Sequence, residues 1–321
     1  MKVLVLSFQD SGGGVGRLAR AIDGLDGHEA RAARWRKGRL RYDVGFKVVW
    51  QPNRARTLAL MEWADAVIVS GCWFGLPKKL PWGTNSVFPP GAPRRPTVIN
   101  YRGTPYRGNR KRYDAHDASR GHVQSGNFLD LTLYGKRKAW LPVPVWADEI
   151  AANRAHHGNK RLLVAQAVTL PRRFGLKRTA MVRKQLKGIP GVGFDVITKV
   201  DNAECLRRIG RADLVVTAFK NGFGNAGLEA MAMGIPVVAD GFPALIEEYK
   251  RKLGTLPFLR CAPGQIGALV VNLRDNREIV AEYGARGSAY VRKWHNPERI
   301  GRKAVMLCEL ARDRLKKRKR K

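Results

Sequence analysis

The sequence predicts an α/β protein built from two doubly wound domains. Three observations carry that expectation. Short β-branched apolar runs alternate with helical segments through both halves of the chain, a glycine-rich turn follows the first run, and a second loop–helix–strand unit stands at Asn221–Ala239. At 321 residues the chain has room for two domains of ordinary size, and an apolar fraction of 44% is enough for proper cores.

Taken in order, Val3–Ser7 is the first apolar run; DSGGGVG follows, then a helix from Arg17 to Leu25. Strand, glycine loop and helix open a doubly wound unit, and the end of its first strand is where open sheets bind ligands. Gly12, Gly13 and Gly14 would let a phosphate or an acceptor oxygen approach the backbone, with Asp10 read as a turn residue, although the spacing is not that of dinucleotide folds. A helix over Arg54–Trp63 and strands over Ala66–Ser70 and Thr97–Tyr101 follow, and the Pro-, Gly- and Trp-rich stretch Cys72–Arg95 reads as a long irregular loop. After Tyr101 comes a basic loop through Arg120, then a strand at Leu129–Tyr134. Pro142 and Pro144 stiffen a linker, placing the domain boundary near residue 146.

The second half repeats the alternation: strand Arg161–Ala167, helix Lys177–Leu186, strand Gly193–Thr198, helix Asp201–Ile209 and strand Asp213–Ala218. After Trp294 a last helix carries Ile300, Ala304, Leu307, Ala311 and Leu315 at three- and four-residue spacing, an apolar stripe on one face. The expected organisation is therefore 1–146, 147–293, and a terminal helix with a basic tail over 294–321.

Within NGFGNAGLEAMAMGIPVVA, Phe223, Gly224 and Asn225 form a turn, Gly227 to Met233 a helix closed by Gly234, and Ile235–Ala239 a buried strand. Glycine lets a ligand approach the backbone, and the first helical N–H groups have no partner within the helix. With the positive end of the helix dipole they suit an anionic or hydroxyl-rich ligand. Glu229 is an unexpected acid among small residues; the alternative is a tightly packed crossing with a solvent-facing Glu.

This segment resembles the donor-site signature of GT-B glycosyltransferases, in particular retaining family four, whose context is E-x-F-G-x-x-x-x-E-A-M-A-x-G-x-P-V-V-A. Phe223, Gly224, Glu229, Ala230, Met231, Ala232, Gly234, Pro236, Val237, Val238 and Ala239 fall in place, while Asn221 stands where the first Glu would be. The resemblance implies two Rossmann-like domains facing a cleft, a C-terminal helix crossing back to the first, and a nucleotide-sugar donor, with UDP-sugar expected. Glu229 would hold the ribose hydroxyls. Asn221 can hydrogen-bond the sugar but supplies no negative charge, and Phe223, Gly224, Asn225 and Ala226 would line the donor. In AQAVTLPRRFGLKRT, Arg173 and Lys177 match the Arg and Lys that neutralise the leaving diphosphate, with Arg172 a near equivalent; a solvated basic loop is the alternative. In the first half Gly103, Thr104 and Arg107 match the family's G-S/T-x-x-R pattern, with Arg102 where a His is common, and WLPVPV resembles its entry into the linker. Retention of the anomeric configuration, in hexosyl or pentosyl transfer, is implied. No D-x-D motif stands in a plausible loop, so no metal is expected; Arg, Lys and helix N-termini would replace it.

Sixty Lys and Arg against 26 Asp and Glu leave a formal charge of +34, far more than one diphosphate requires. Such a chain repels itself unless a polyanion or anionic surface is near. Arg102, Arg107, Arg110, Lys111, Arg112 and Arg120 concentrate in the basic loop, interleaved with Tyr101, Tyr106 and Tyr113. Arginine for phosphates and aromatics for bases make a nucleic-acid pattern, with an anionic membrane or acidic glycan as the alternative. His116, flanked by Asp114 and Asp117, is the candidate to orient or deprotonate an acceptor, although such clusters are more commonly plain surface. Four scattered cysteines without metal spacing read as buried or free thiols of a reducing compartment. The N-terminus has no apolar leader and no segment reaches a membrane span, so a cytoplasmic protein is expected.

The sequence thus points to a glycosyltransferase whose acceptor is a hydroxylated base in DNA, flipped out of the duplex. The same machinery acting on a lipid-linked, polysaccharide or protein acceptor at an anionic surface is the second reading. A non-catalytic nucleic-acid-binding protein on this scaffold is the third, supported by Asn221 alone.

Overall fold

Strand β1 (Lys2–Gln9) is buried from Val3 to Phe8 because helices cover both faces of its sheet. In the computed structural model, residues 1–9, 12–36, 42–71, 74, 79–134, 138–155, 161–168, 173–217, 219 and 221–319 are described, without the side chains of 104, 105, 173–177 and 319. Two compact units divide the chain, one of Met1–Pro144 with Pro297–Lys321 and one of Val145–Asn296.

The first unit continues through α1 (Gly14–Asp23), β2 (Glu29–Arg36), β3 (Val48–Trp50), α2 (Arg54–Trp63), β4 (Ala66–Ser70), β5 (Thr97–Tyr101), α3 (Gly103–Arg120), β6 (Val123–Gly126) and β7 (Ala139–Trp140). Among the described residues its seven strands lie in the order β3-β2-β1-β4-β5-β6-β7, every pair parallel. The order reverses beside β1, which pairs Val3 with Ala30 of β2 on one side and with Ala66 of β4 on the other. Side chains alternate between the faces. Leu4, Leu6, Val67 and Ile99 pack with Leu60 and Met61 of α2 and the tyrosines of α3. Val3, Val5, Ile68 and Val98 pack on the other face with Leu18 and Ile22 of α1. Asn53 caps α2, its Oδ1 accepting from the Arg56 N–H at 2.8 Å.

The second unit comprises α4 (Ala147–Ala151), β8 (Leu162–Ala167), α5 (Arg173–Leu186), β9 (Val192–Ile197), α6 (Asn202–Gly210), β10 (Leu214–Val216), α7 (Gly224–Ala232), β11 (Val237–Ala239), α8 (Pro243–Leu253), β12 (Leu259–Arg260), α9 (Ile266–Asp275) and α10 (Arg277–Trp294). Its sheet runs β12-β11-β10-β8-β9, all parallel, so the order reverses between β8 and β10. Leu162, Val164, Leu214 and Val216 share a core with Val182 of α5 and Ile266 and Val270 of α9. Helix α11 (Pro297–Lys319) belongs to the first unit, where Ile300, Ala304, Leu307 and Ala311 join the core under α1 and the beginnings of β1, β4, β5 and β6. Gly301 makes that approach close: a Cβ there would stand 2.3 Å from the Ala21 carbonyl oxygen.

Two sequence expectations are corrected. Leu129–Tyr134 is not a strand: Leu129–Thr132 forms a 3-10 turn, and β6 lies earlier, at Val123–Gly126. Leu129 and Leu131 alternate as in a strand, but Leu131 folds back over Gly126, within 2.8 Å of where a Cβ would be. The basic stretch after Tyr101 is not a loop but helix α3, interrupted at Asn109 (φ −134°, ψ 27°). Its buried face is made of Tyr106, Tyr113 and Asp117 instead of aliphatic side chains, so the usual apolar stripe is missing.

Candidate functional site

The donor-type loop leaves β10 beside the point where the second sheet reverses. Thr217 and Gly222 hold it to the neighbouring strand: Thr217 Oγ1 donates to the Val238 carbonyl at 3.0 Å and the Gly222 N–H to that of Asp240 at 3.1 Å. Asn221 bridges Gly241 in antiparallel fashion. Gly222 has φ +81° and Gly224 φ +63°, backbone that L side chains rarely adopt. The chain then enters α7 at Gly224, three residues before the helix the sequence suggests, with Phe223 at the cap position and no side-chain cap. The N–H groups of Gly224, Asn225 and Ala226 therefore belong to the helix's first turn. Beyond its chain neighbours and its own helix backbone, no described residue has an atom within 4 Å of a Cβ built on Gly224, so among the described residues the backbone is approachable from that side.

Phe223 faces inward. It is 5% exposed and packs edge-on against Phe258 and Tyr290, with ring centroids 5.6 and 5.8 Å away, so it anchors the turn and leaves ligand contact to the backbone. Glu229 lies on the same face of α7 as Asn225, four residues on, and is 1% exposed. The solvent-facing alternative for this acid is thus excluded. Burial pushes the nearby Cys205 thiol up to about 12, with the negative charge of Glu229 adding to the effect. Small residues let α10 close over α7: Cβ atoms on Gly284 and Gly287 would stand 2.2 Å from the Gly234 oxygen and 2.9 Å from Met231 Cγ.

Helix α5 starts after β8, on the opposite side of the same reversal. Arg173 is its first residue and Lys177 lies in its second turn; their side chains, and Arg172 altogether, are outside the described residues. Gln166, near the end of β8, and Asn202, opening α6, stand at this strand edge and escaped the sequence reading. Both are 5% exposed, and Gln166 Oε1 and Asn202 Nδ2 have no hydrogen-bond partner among the described residues. The single polar residue in LLVAQA was the available signal for Gln166.

In the first unit the glycine loop follows β1, where the first sheet reverses. Gly13 caps α1 in the left-handed region (φ +66°), and the Arg102 guanidinium, from the end of β5, lies directly on Gly14. A cation thus stands at the positive end of a helix, an arrangement that favours an anion between them.

No protein-family model matches the sequence, and no curated protein matches it either. Solved structures do match. An alpha-glucosyltransferase in complex with UDP and a 13-mer DNA containing an A:G mismatch superposes over 96% of this chain and 100% of its own, with TM-score 0.66 and 10% identity. Alr3699/HepE of Anabaena, in complex with UDP and glucose, gives 0.65 at 13% identity over 95% of this chain and 98% of its own. WaaG, a glycosyltransferase involved in lipopolysaccharide biosynthesis, gives 0.56 at 13% identity over 94% and 98%. The chain has the GT-B fold. Its two doubly wound units and its returning C-terminal helix are those of GT-B proteins.

On this GT-B scaffold the first-unit candidates separate. Tyr106 is fully buried, stacked on Tyr101 at 4.0 Å, and donates to Asp114 Oδ1 at 2.9 Å; burial and that carboxylate hold its hydroxyl far above the usual phenol range. It cannot stack on a base, and Tyr101 and Tyr113 are core residues too. Arg107 is clamped to buried Asp130 by two bonds of 2.6 and 2.9 Å. Arg110, Lys111 and Arg112 stand on the exposed face of α3, Arg112 over the Phe74 ring. His116 packs on Phe74 with ring centroids 4.1 Å apart, beside residues where β5 and β6 begin. It is not brought to the edge that carries the glycine loop. Cys205, Cys261 and Cys308 are free and buried, while Cys72 is outside the described residues. Among the described residues no helix is long and apolar enough to cross a membrane, and no three His, Cys, Asp or Glu side chains cluster around a metal position.

Proposed function

We propose that this protein transfers a sugar from a UDP-sugar to a hydroxyl on a DNA base. The observation that carries the transferase reading is the loop–helix unit at Asn221: a left-handed Gly224 with space beside it among the described residues, opening a helix without a side-chain cap whose inner face bears Glu229. The N–H groups of that first turn would receive diphosphate or sugar oxygens, and Glu229 the ribose hydroxyls. Arg173 and Lys177 are assigned to the diphosphate from the matching motif. Asn221 in place of the motif's first acid leaves an amide to select the donor sugar. In the step itself the acceptor oxygen bonds to the anomeric carbon as the bond to UDP breaks. Front-side attack within an ion pair, with the acceptor proton passing to the departing phosphate oxygen, would retain configuration without a strong protein base.

DNA as acceptor is supported by the charge of +34, and by the likeness in fold to an alpha-glucosyltransferase held with UDP and DNA. Arg102, Arg110, Lys111 and Arg112 would meet phosphates, and the target base would leave the duplex to reach the donor. The second reading, a lipid or glycan acceptor at an anionic surface, draws on exposed Met306 and Leu310 beside the arginines of α11. The transferase reading is tested by UDP titration of wild type and Glu229→Gln, with UDP release from UDP-sugars followed with and without DNA. Binding lost at least tenfold in the variant, and release quickened by DNA, are expected. UDP binding that ignores Glu229, or no release from any UDP-sugar, would overturn it.

A further inference from the structure

The first unit holds a cavity of about 630 Å³ far from its glycine loop. Pro96 and Thr97, at the start of β5, and Gly121 and His122, which lead into β6, line it, Pro96 immediately before its strand, so it opens where those strands begin. Arg102 and Gly14 stand at the other end of β5, five residues or roughly 16 Å along the strand. The groove is therefore a separate place on the molecule.

Among the described residues its walls carry Arg94, Arg95, Arg120, Arg318, His116 and His122, and no Asp or Glu. Where these arginines bond, they bond to carbonyls. Arg95 donates to the Met61 and Glu62 oxygens at 2.9 and 2.7 Å, and Arg318 to the Ser119 oxygen at 2.8 Å. Neighbouring Arg314 donates to the His122 oxygen at 3.4 Å, so the end of α11 is tied to the C-terminus of α3. A carbonyl fixes a guanidinium without cancelling its charge. Arg94 and Arg120 have no ion pair among the described residues. Of the carboxylates near it, Asp117 is fully buried and taken up by Tyr101, Gln124 and His122, while Glu62, whose carbonyl holds Arg95, is exposed and does not line the groove. Exposed Lys316 and Lys317 extend the positive field along α11. Like charges gathered in a concave wall raise the local potential and call for a polyanion.

We infer that this groove is a second nucleic-acid surface, which grips the phosphate backbone of a duplex at a distance from the base being modified. The partner's chemistry follows from the lining. Arginines on two walls suit a chain of phosphates. A membrane-binding face would offer protruding apolar side chains, but among the described residues the large exposed ones, Trp50, Met306 and Leu310, lie outside the groove. Backbone contacts of this kind add affinity and register without reading sequence. The inference rests on nucleic acid being the partner, not on its being glycosylated.

The test is the salt dependence of binding to an unmodified duplex, with no donor present, for wild type, Arg94→Ala/Arg120→Ala and Arg94→Lys/Arg120→Lys. Each lost phosphate contact lowers the slope of log K against log salt by ~0.9, so the alanine pair should flatten it by about two and weaken binding tenfold or more at low salt. The lysine pair should restore most of both, with melting temperature and UDP affinity unchanged throughout. An unchanged slope in the alanine pair would overturn the inference, and so would loss of binding to phosphatidylglycerol vesicles with DNA binding intact. Groove-dependent DNA binding without any sugar transfer would uphold it while removing DNA as the acceptor.

Discussion

The guanidinium of Arg102 rests on Gly14 so closely that a Cβ there would stand 2.0 Å from Nη2. One residue follows β5 and the other begins α1, and their contact puts a cation at a helix N-terminus. A methyl at Gly14 would displace only the end of a flexible side chain, so Gly14→Ala should fold normally while moving the guanidinium. Gly14→Ala and Arg102→Ala should each slow transfer about tenfold, and the double variant should be no slower than either, as expected of residues acting as one unit. Additive losses would separate the two roles.

Gly224 offers the converse separation at the donor loop. Its φ of +63° makes alanine strained, yet among the described residues no neighbour stands within 4 Å of the added methyl. Gly224→Ala should therefore cost only about 1 kcal/mol of stability, while the methyl occupies the approach to the helix N–H groups. UDP affinity should fall by tenfold or more in calorimetric titration, with the melting temperature nearly held.

Arg107 and Arg110 should part company. Removing Arg107 leaves Asp130, itself 1% exposed, as a buried unpaired carboxylate. Arg107→Ala should lose about 3–5 kcal/mol by denaturant unfolding. Arg110 is exposed on α3, so Arg110→Ala should leave stability within ~0.5 kcal/mol and weaken DNA binding.

Gly284 sets the seat of α7. With its Cβ position 2.2 Å from the Gly234 oxygen, an added methyl meets backbone that cannot step aside. Gly284→Ala should destabilise the protein by ~3 kcal/mol and lower UDP affinity with it.

Burial raises the thiols of Cys205 and Cys308 to about 12. Both should resist iodoacetamide at pH 8 in the native protein and react once it is unfolded, as peptide mapping would reveal.

Much of this architecture was legible in the sequence where physics is local. Arg54–Trp63, Ala66–Ser70 and Thr97–Tyr101 have the bounds their patterns suggest, and the stripe Ile300, Ala304, Leu307 and Ala311 is buried. Strand β2, EARAARWR, was not read: alanine and arginine carry no β signal, and its place rests on pairing with β1 and β3. Helices α8, α9 and α10, between Pro243 and Trp294, went unread as well. At the candidate site, glycines and a motif acid marked the turn, helix and strand that the structure shows over Asn221–Ala239, with Glu229 buried. The tyrosines of α3 misled, because an aromatic between arginines looks the same whether it faces a base or a core. The sheet beneath decides, and that contact is not local in sequence.

The central claim is transfer to DNA. The most direct measurement supplies UDP-sugars together with DNA containing hydroxymethylated pyrimidines, then digests the DNA and weighs its nucleosides by mass spectrometry. A nucleoside heavier by one sugar, absent with Glu229→Gln, is the predicted result. UDP release that leaves every nucleoside at its starting mass would contradict DNA as the acceptor.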